Sequence, residues 1–137
     1  MNRILPLIFA LAAASASLAD ESHPLDRRLD DCLSLEENAS TAGMLDCIDD
    51  AARRWDTELN NNYRRLLSQL TPSRQERLRA SQRAWLQYRD RERDAADAIY
   101  GGLEGTMYLP MHAMRVLRIT STRALELDDY LSLLQGR

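Results

Sequence analysis

Lysine is missing: all eighteen basic residues are arginine. Glycine is scarce, and no glycine-rich loop is built to cradle a phosphate. No G-x-S-x-G turn presents a serine nucleophile, and no Cys/His pair stands at a useful distance. His23 and His112 share no ligand spacing with the cysteines, so no metal or other cofactor is expected. No strand-like alternation of useful length, strong repeat or low-complexity segment occurs. These absences leave no support for an enzyme. Adjacent acids do occur, at Asp30/Asp31, Glu36/Glu37, Asp49/Asp50 and Asp128/Asp129. A retaining glycosidase needs two carboxyls roughly 5–5.5 Å apart in opposed environments. Neighbours on a helix point in different directions, so these pairs read as solvated faces.

The N-terminus reads as a secretory signal peptide. Arg3 gives a positive start, residues 4–16 are almost all apolar, and Ser17-Leu18-Ala19 supplies small residues for cleavage. Cleavage is expected after Ala19; a cut after Ala16 fits nearly as well. The apolar run is short for a bilayer core of roughly 30 Å, and no cysteine follows it to carry a lipid. Residues 1–19 are therefore expected to be removed. Residues 20–137 form a single periplasmic or secreted domain without a stable membrane anchor. The whole chain carries a net charge of −3, and losing Arg3 makes it more negative. A mildly acidic exported protein suits a basic protein partner better than nucleic acid.

Cys32 and Cys47 are the two cysteines, both in the exported part. An even count in an oxidising compartment reads first as a disulfide, worth roughly 3 kcal/mol for so short a loop. Free thiols and a metal site are the alternatives, and the second lacks ligands.

The apolar spacing predicts helices throughout. Residues 20–24 form a mobile polar lead-in. Leu25, Leu29, Cys32 and Leu35 mark a short amphipathic helix, which 36–40 interrupts. Thr41 is the expected N-cap of a long helix with an inward stripe of Met44, Cys47/Ile48, Ala51, Trp55, Leu59, Tyr63, Leu66 and Leu70. Thr71-Pro72 starts the next, striped by Leu78, Ser81/Gln82, Trp85, Tyr88, Ala95/Ala96 and Ile99, and Gly101-Gly102 stops it. After a loop at 103–108, a last helix from Leu109 or Pro110 carries Leu109, Ala113, Val116, Thr120, Ala124, Leu127, Leu131 and Leu134 inward. Short connections make neighbours antiparallel. The predicted fold is all-α: an up-down-up bundle of three long antiparallel helices with a short disulfide-tethered N-terminal helix. Equal rise then sets Asn60 opposite Gln82, Trp55 near Tyr88 and Tyr63 near Leu78. Across the second connection it sets Trp85 near Arg123 and Tyr88 near Thr120.

At these positions the chain resembles the LprI-like family of small exported bacterial proteins, whose named member inhibits lysozyme. The resemblance rests on Cys32 and Cys47, Leu59-Asn60-x-x-Tyr63, and Gln82-Arg83-Ala84-Trp85-x-x-Tyr88-Arg89-Asp90. It continues through Gly101-Gly102 to Thr120-x-x-Arg123-x-x-x-Leu127. It covers residues 32–134, and the Q-R-A-W-x-x-Y-R-D run is its most specific part. Relatives carry two further cysteines where this chain has Arg93 and Arg115. Their joint loss implies that those two pair in relatives and that Cys32 pairs with Cys47 here. The predicted register sets Arg93 opposite Arg115, where Asp90, Glu92 or Asp97 must separate them.

Trp85, Arg89 and Asp90 admit two readings. One is a binding epitope. The other, which the apolar stripe favours, is a core tryptophan with a paired arginine stacked on it. Asn60 and Gln82 read as an interhelical amide pair, and Tyr63 as core. The arginines of the third helix are interleaved with acids, as on a salt-bridged solvent face. A strip for lipid phosphates or anionic wall polymers is the sharper reading. The resemblance implies a binding module that presents an acidic surface to a lysozyme-like cell-wall hydrolase. Glu36, Glu37 and the loop carrying Glu104 are the expected contacts. An envelope assembly protein, or an immunity protein against a wall-degrading toxin, is the alternative.

Overall fold

The computed structural model describes residues 22–136, so the signal-peptide reading lies outside the described residues. Four α-helices follow one another: α1 (Pro24–Ser34), α2 (Thr41–Gln69), α3 (Pro72–Gly101) and α4 (Tyr108–Leu134). A 3₁₀ turn at Glu36–Asn38 joins the first two, and no strand occurs among the described residues. The Cys32–Cys47 disulfide, with its Cα atoms 5.8 Å apart, fastens α1 to α2.

The described part of the lead-in, from Ser22, is tied down at His23. His23 is the N-cap of α1, its Nδ1 accepting the Leu25 N–H at 3.1 Å. Pro24 follows at the first helical position, where no N–H is needed. The His23 ring also lies on Trp55, centroids 4.4 Å apart. Leu25, Leu29, Cys32 and Leu33 turn towards α2.

At the start of α2 the cap is Ser40 rather than Thr41. The Ser40 backbone is extended, and its hydroxyl accepts the Gly43 N–H at 3.0 Å. Thr41 is already helical, so its hydroxyl has no orphan N–H to reach. Gly43 has a packing role: a Cβ there would stand 2.7 Å from the Asn38 Cα. Asn38 in turn donates to the Cys32 carbonyl at 2.9 Å, tying the 3₁₀ turn to α1.

The core forms mainly where α2 meets α4. Ile48, Ala51, Trp55, Leu59 and Leu66 pack with Leu117, Ala124, Leu127 and Leu131. Trp55 and Leu127 are fully buried. Each large side chain so buried contributes about 1.5–3 kcal/mol from removal of apolar area from water. Met44, Tyr63 and Leu70 of the expected stripe are half-buried, and Asn62 is buried instead. The Asn62 amide is accommodated by donating to the Ala124 carbonyl at 3.2 Å.

Between α2 and α3 the connection is closed by a side chain that periodicity does not mark. The Thr71 side chain makes no cap bond. Gln75 Nε2 instead donates to the carbonyls of Leu67 at 2.9 Å and Leu70 at 3.1 Å, satisfying the end of α2. α3 then buries only Leu78, Gln82 and Ala96. Trp85 is half-buried, and Tyr88 and Ile99 are 54% and 66% exposed, against the expected inward stripe. The cause is tertiary: α3 rests on α4 and barely touches α2. α4 begins at Tyr108, earlier than Leu109 or Pro110. Pro110 sits in its first turn, where N–H groups lack helical partners. Leu117 replaces Leu109 and Leu134 in the core, and both of those are exposed.

Candidate functional site

Because α2 and α3 barely touch, a cleft opens between them. One stretch is lined by Asp56, Leu59, Asn60 and Tyr63 from α2 and by Arg79, Gln82, Arg83, Trp85, Leu86 and Arg89 from α3. Its volume is about 340 Å³. Asp56 and Arg89 also line the next stretch, over a floor of Val116, Leu117 and Thr120. Arg93 and Val116 also line a neighbouring pocket between α3 and α4, with Asp90, Asp94, Asp97 and His112. Between α2 and α3 the cleft runs from Arg79 to Arg93, about 21 Å at the helical rise.

Seven residues of the sequence motif meet in the first stretch: Leu59, Asn60, Tyr63, Gln82, Arg83, Trp85 and Arg89. The expected amide pair is not made. Asn60 Nδ2 donates back to the Asp56 carbonyl at 2.8 Å and carboxylate at 3.2 Å, because its own preceding turn is nearer than α3. Gln82 Oε1 accepts from Arg123 Nε at 3.1 Å. Arg89 does both things foreseen for it. Its guanidinium lies 5.6 Å from the Trp85 ring centroid and also bonds Asp90 at 2.7 and 2.9 Å.

Other expected neighbours are replaced. Arg123, 7% exposed, reaches Gln82 and Ser81 rather than Trp85, and bonds Glu126 at 3.0 Å. Trp55 lies under His23, and Tyr88 stands in solvent away from Trp55. Thr120 lines the floor of the middle stretch. Glu92 separates the two arginines of interest by bonding Arg115, while Arg93 faces the cleft. His112 Nε2 is 2.8 Å from Asp97 Oδ1 but off the line of a hydrogen bond.

A second surface lies at one end of the molecule. Leu33 of α1 and Met44 and Ile48 of α2 line a largely apolar groove of about 410 Å³ with Tyr100, Pro110, Met111 and Met114, and Arg115 and Arg118 complete its wall. The groove thus brings the α1–α2 turn and the α3–α4 connection to the same end. Glu36, Glu37 and Glu104 are exposed in those two connections. Asp30, Asp31 and Asp46 are exposed on the adjoining helices. None of these six carboxylates pairs with an arginine among the described residues; Asp49, Asp50, Glu76, Asp90, Glu92, Asp94 and Glu126 do, while Asp26, Asp56, Glu58, Asp128 and Asp129 elsewhere do not. Only Glu36, Glu37 and Glu104 of the acidic set follow from reading loops as contacts. Asp30, Asp31 and Asp46 were legible only as outward positions beside Leu29, Cys32 and Cys47.

Among the described residues no group of three or more side chains is arranged to hold a metal ion. No helix there is long and apolar enough to cross a membrane.

These features define a disulfide-stapled helical domain with a polar cleft and an acidic end. The family model for the lysozyme inhibitor LprI matches residues 32–127, and the chain belongs to this family. A crystal structure of an uncharacterised protein from Burkholderia thailandensis is similar, with a TM-score of 0.73 and 32% identity. The match covers 80% of this chain and 56% of that one, so this chain spans little more than half of that protein's length. No curated protein matches.

Proposed function

We propose that the protein is an exported binding module of the lysozyme-inhibitor type, acting on a basic cell-wall hydrolase. Family membership supports an inhibitor role. The disulfide fits an oxidising compartment outside the cytoplasm, periplasmic or secreted. The observation that carries the reading is the set of unpaired carboxylates at one end, with Glu36, Glu37 and Glu104 at its centre. An acidic surface left free of internal partners steers encounter with a basic protein and orients it. The apolar groove beside it offers a place for a partner's side chain.

The scaffold is read as three long helices running up, down and up within one domain, residues 20–137. Pairs between α3 and α4 run in opposite directions: Glu92 meets Arg115, and the later Asp97 meets the earlier His112. Pairs between α2 and α4 advance together, from Ile48 beside Pro110 to Asn62 on Ala124. In this frame Leu59, Thr120 and Arg123 serve the scaffold.

The test follows lysis of a cell-wall suspension by several lysozyme types with increasing protein, its disulfide intact. Saturable inhibition is expected for at least one type. Glu36→Gln/Glu37→Gln should weaken it, with the loss shrinking as salt rises. No inhibition of any type by helical protein would overturn the reading. A pull-down from envelope extract would then address assembly or immunity.

A further inference from the structure

We propose that the α2–α3 cleft binds a sugar chain that carries carboxylates. This does not rest on the inhibitor reading, which concerns the acidic end of the molecule.

The first argument is preorganisation. Asn60 is fixed through Nδ2 by Asp56, leaving Oδ1 without a partner among the described residues. Gln82 is fixed through Oε1 by Arg123, leaving Nε2 likewise. The Tyr63 hydroxyl also has no partner among the described residues and is not sealed in the core. Each amide is held at one atom and offers another to the cleft. Binding then loses little side-chain freedom, which is the usual cost of a polar site.

The second argument is chemistry. Amide, hydroxyl and carboxylate groups converge beside a half-buried indole with a guanidinium over it. Sugar rings need that combination: C–H faces lie on a flat surface while hydroxyls take directed hydrogen bonds. On the α3 wall, Arg79 and Arg83 share one exposed acid, Glu76, at 3.9 and 3.4 Å. Arg79 also donates to Gln75 at 3.2 Å, and the remaining N–H groups of the two arginines are open to a planar anion, which arginine recognises in a bidentate manner. The length of the cleft suits a polymer rather than a single ring.

Tryptophan emission gives the test. Trp55 is fully buried beneath His23, so a ligand in the cleft changes the emission of Trp85 alone. Full-length mature protein is titrated with carboxylated amino-sugar oligosaccharides and with neutral oligosaccharides of equal length. We expect a saturable change with the carboxylated chain and weaker binding of the neutral one. Asn60→Ala and Arg83→Gln should each weaken binding about tenfold, the worth of one or two good hydrogen bonds. Both positions are exposed, so circular dichroism and the melting temperature should stay unchanged. Absence of binding by emission and by calorimetry would overturn the proposal. So would binding that survives both substitutions, or an equal response to anionic phospholipid vesicles. Inhibition of lysozyme without sugar binding would overturn this proposal and leave the acidic-end reading standing.

Discussion

His23 caps α1 with the same ring that covers Trp55, 4.4 Å away between centroids. One side chain thus starts the first helix and closes the core of the second. His23→Ala should lose the cap, worth about 0.5–2 kcal/mol, and uncover the indole. His23→Asn keeps a capping oxygen and should recover part of the loss. Urea unfolding gives the stabilities. A red shift of Trp55 emission in both variants reports the missing ring.

Asp50 joins α1 to α2, accepting from Arg54 at 2.8 Å and from Arg28 at 3.5 Å. The Arg54 hydrogen bond chiefly holds its carboxyl below the ordinary 3.8; partial desolvation opposes this, and the charges of Arg54 and Arg28 assist. A depressed folded value stabilises above the unfolded value, and the benefit is lost as pH falls through the folded one. Asp50→Asn should therefore be less stable than wild type at neutral pH. The two should converge well below 3.8. Melting curves across that range check it, and a gap that persists in acid would contradict it.

Arg123 is the buried strut between α4 and α3, bonded to Gln82, Ser81 and Glu126. Arg123→Met should cost about 1–3 kcal/mol, because Gln82 Oε1 is left without a donor. Adding Gln82→Leu should return part of that loss. A double-mutant cycle by urea unfolding measures the coupling.

The register of α3 on α4 is set by Glu92 with Arg115 and by Asp97 with His112. Oxidising the double variant Arg93→Cys/Arg115→Cys should therefore form a crosslink. Thiol titration before and after oxidation decides. Free thiols after oxidation would mean that the two Cβ vectors point apart.

How far the sequence reaches is clearest on α2. Its apolar steps identify Ile48, Ala51, Trp55, Leu59 and Leu66 as core, since two neighbours bury that whole face. On α3 the same reasoning finds a stripe but not its depth. Leu78 and Ala96 are buried, while Tyr88 and Ile99 are left in water by the gap from α2. Periodicity is blind to that gap, because it is a property of three helices together. It is equally blind to Asn62, whose burial depends on a carbonyl of α4. The motif residues that line the cleft were visible as a group. Their outward-facing atoms were not, since Asn60 is turned by Asp56 and Gln82 by Arg123. The disulfide was readable from cysteine count and compartment. The His23 cap was not, because a histidine in a polar lead-in resembles any other polar residue.

The slight burial of α3 has a dynamic consequence. With only Leu78, Gln82 and Ala96 buried, this is the long helix with the least to lose by lifting away, while α1, which buries only Leu29, is held by the disulfide. The amides of α3 should exchange with solvent at a lower opening free energy than those of α2 and α4. The molecule then behaves as a firm body of α1, α2 and α4 with α3 as a jaw. Whatever enters the cleft becomes the missing contact between α2 and α3, and hydrogen exchange would record its arrival as slowed exchange along α3.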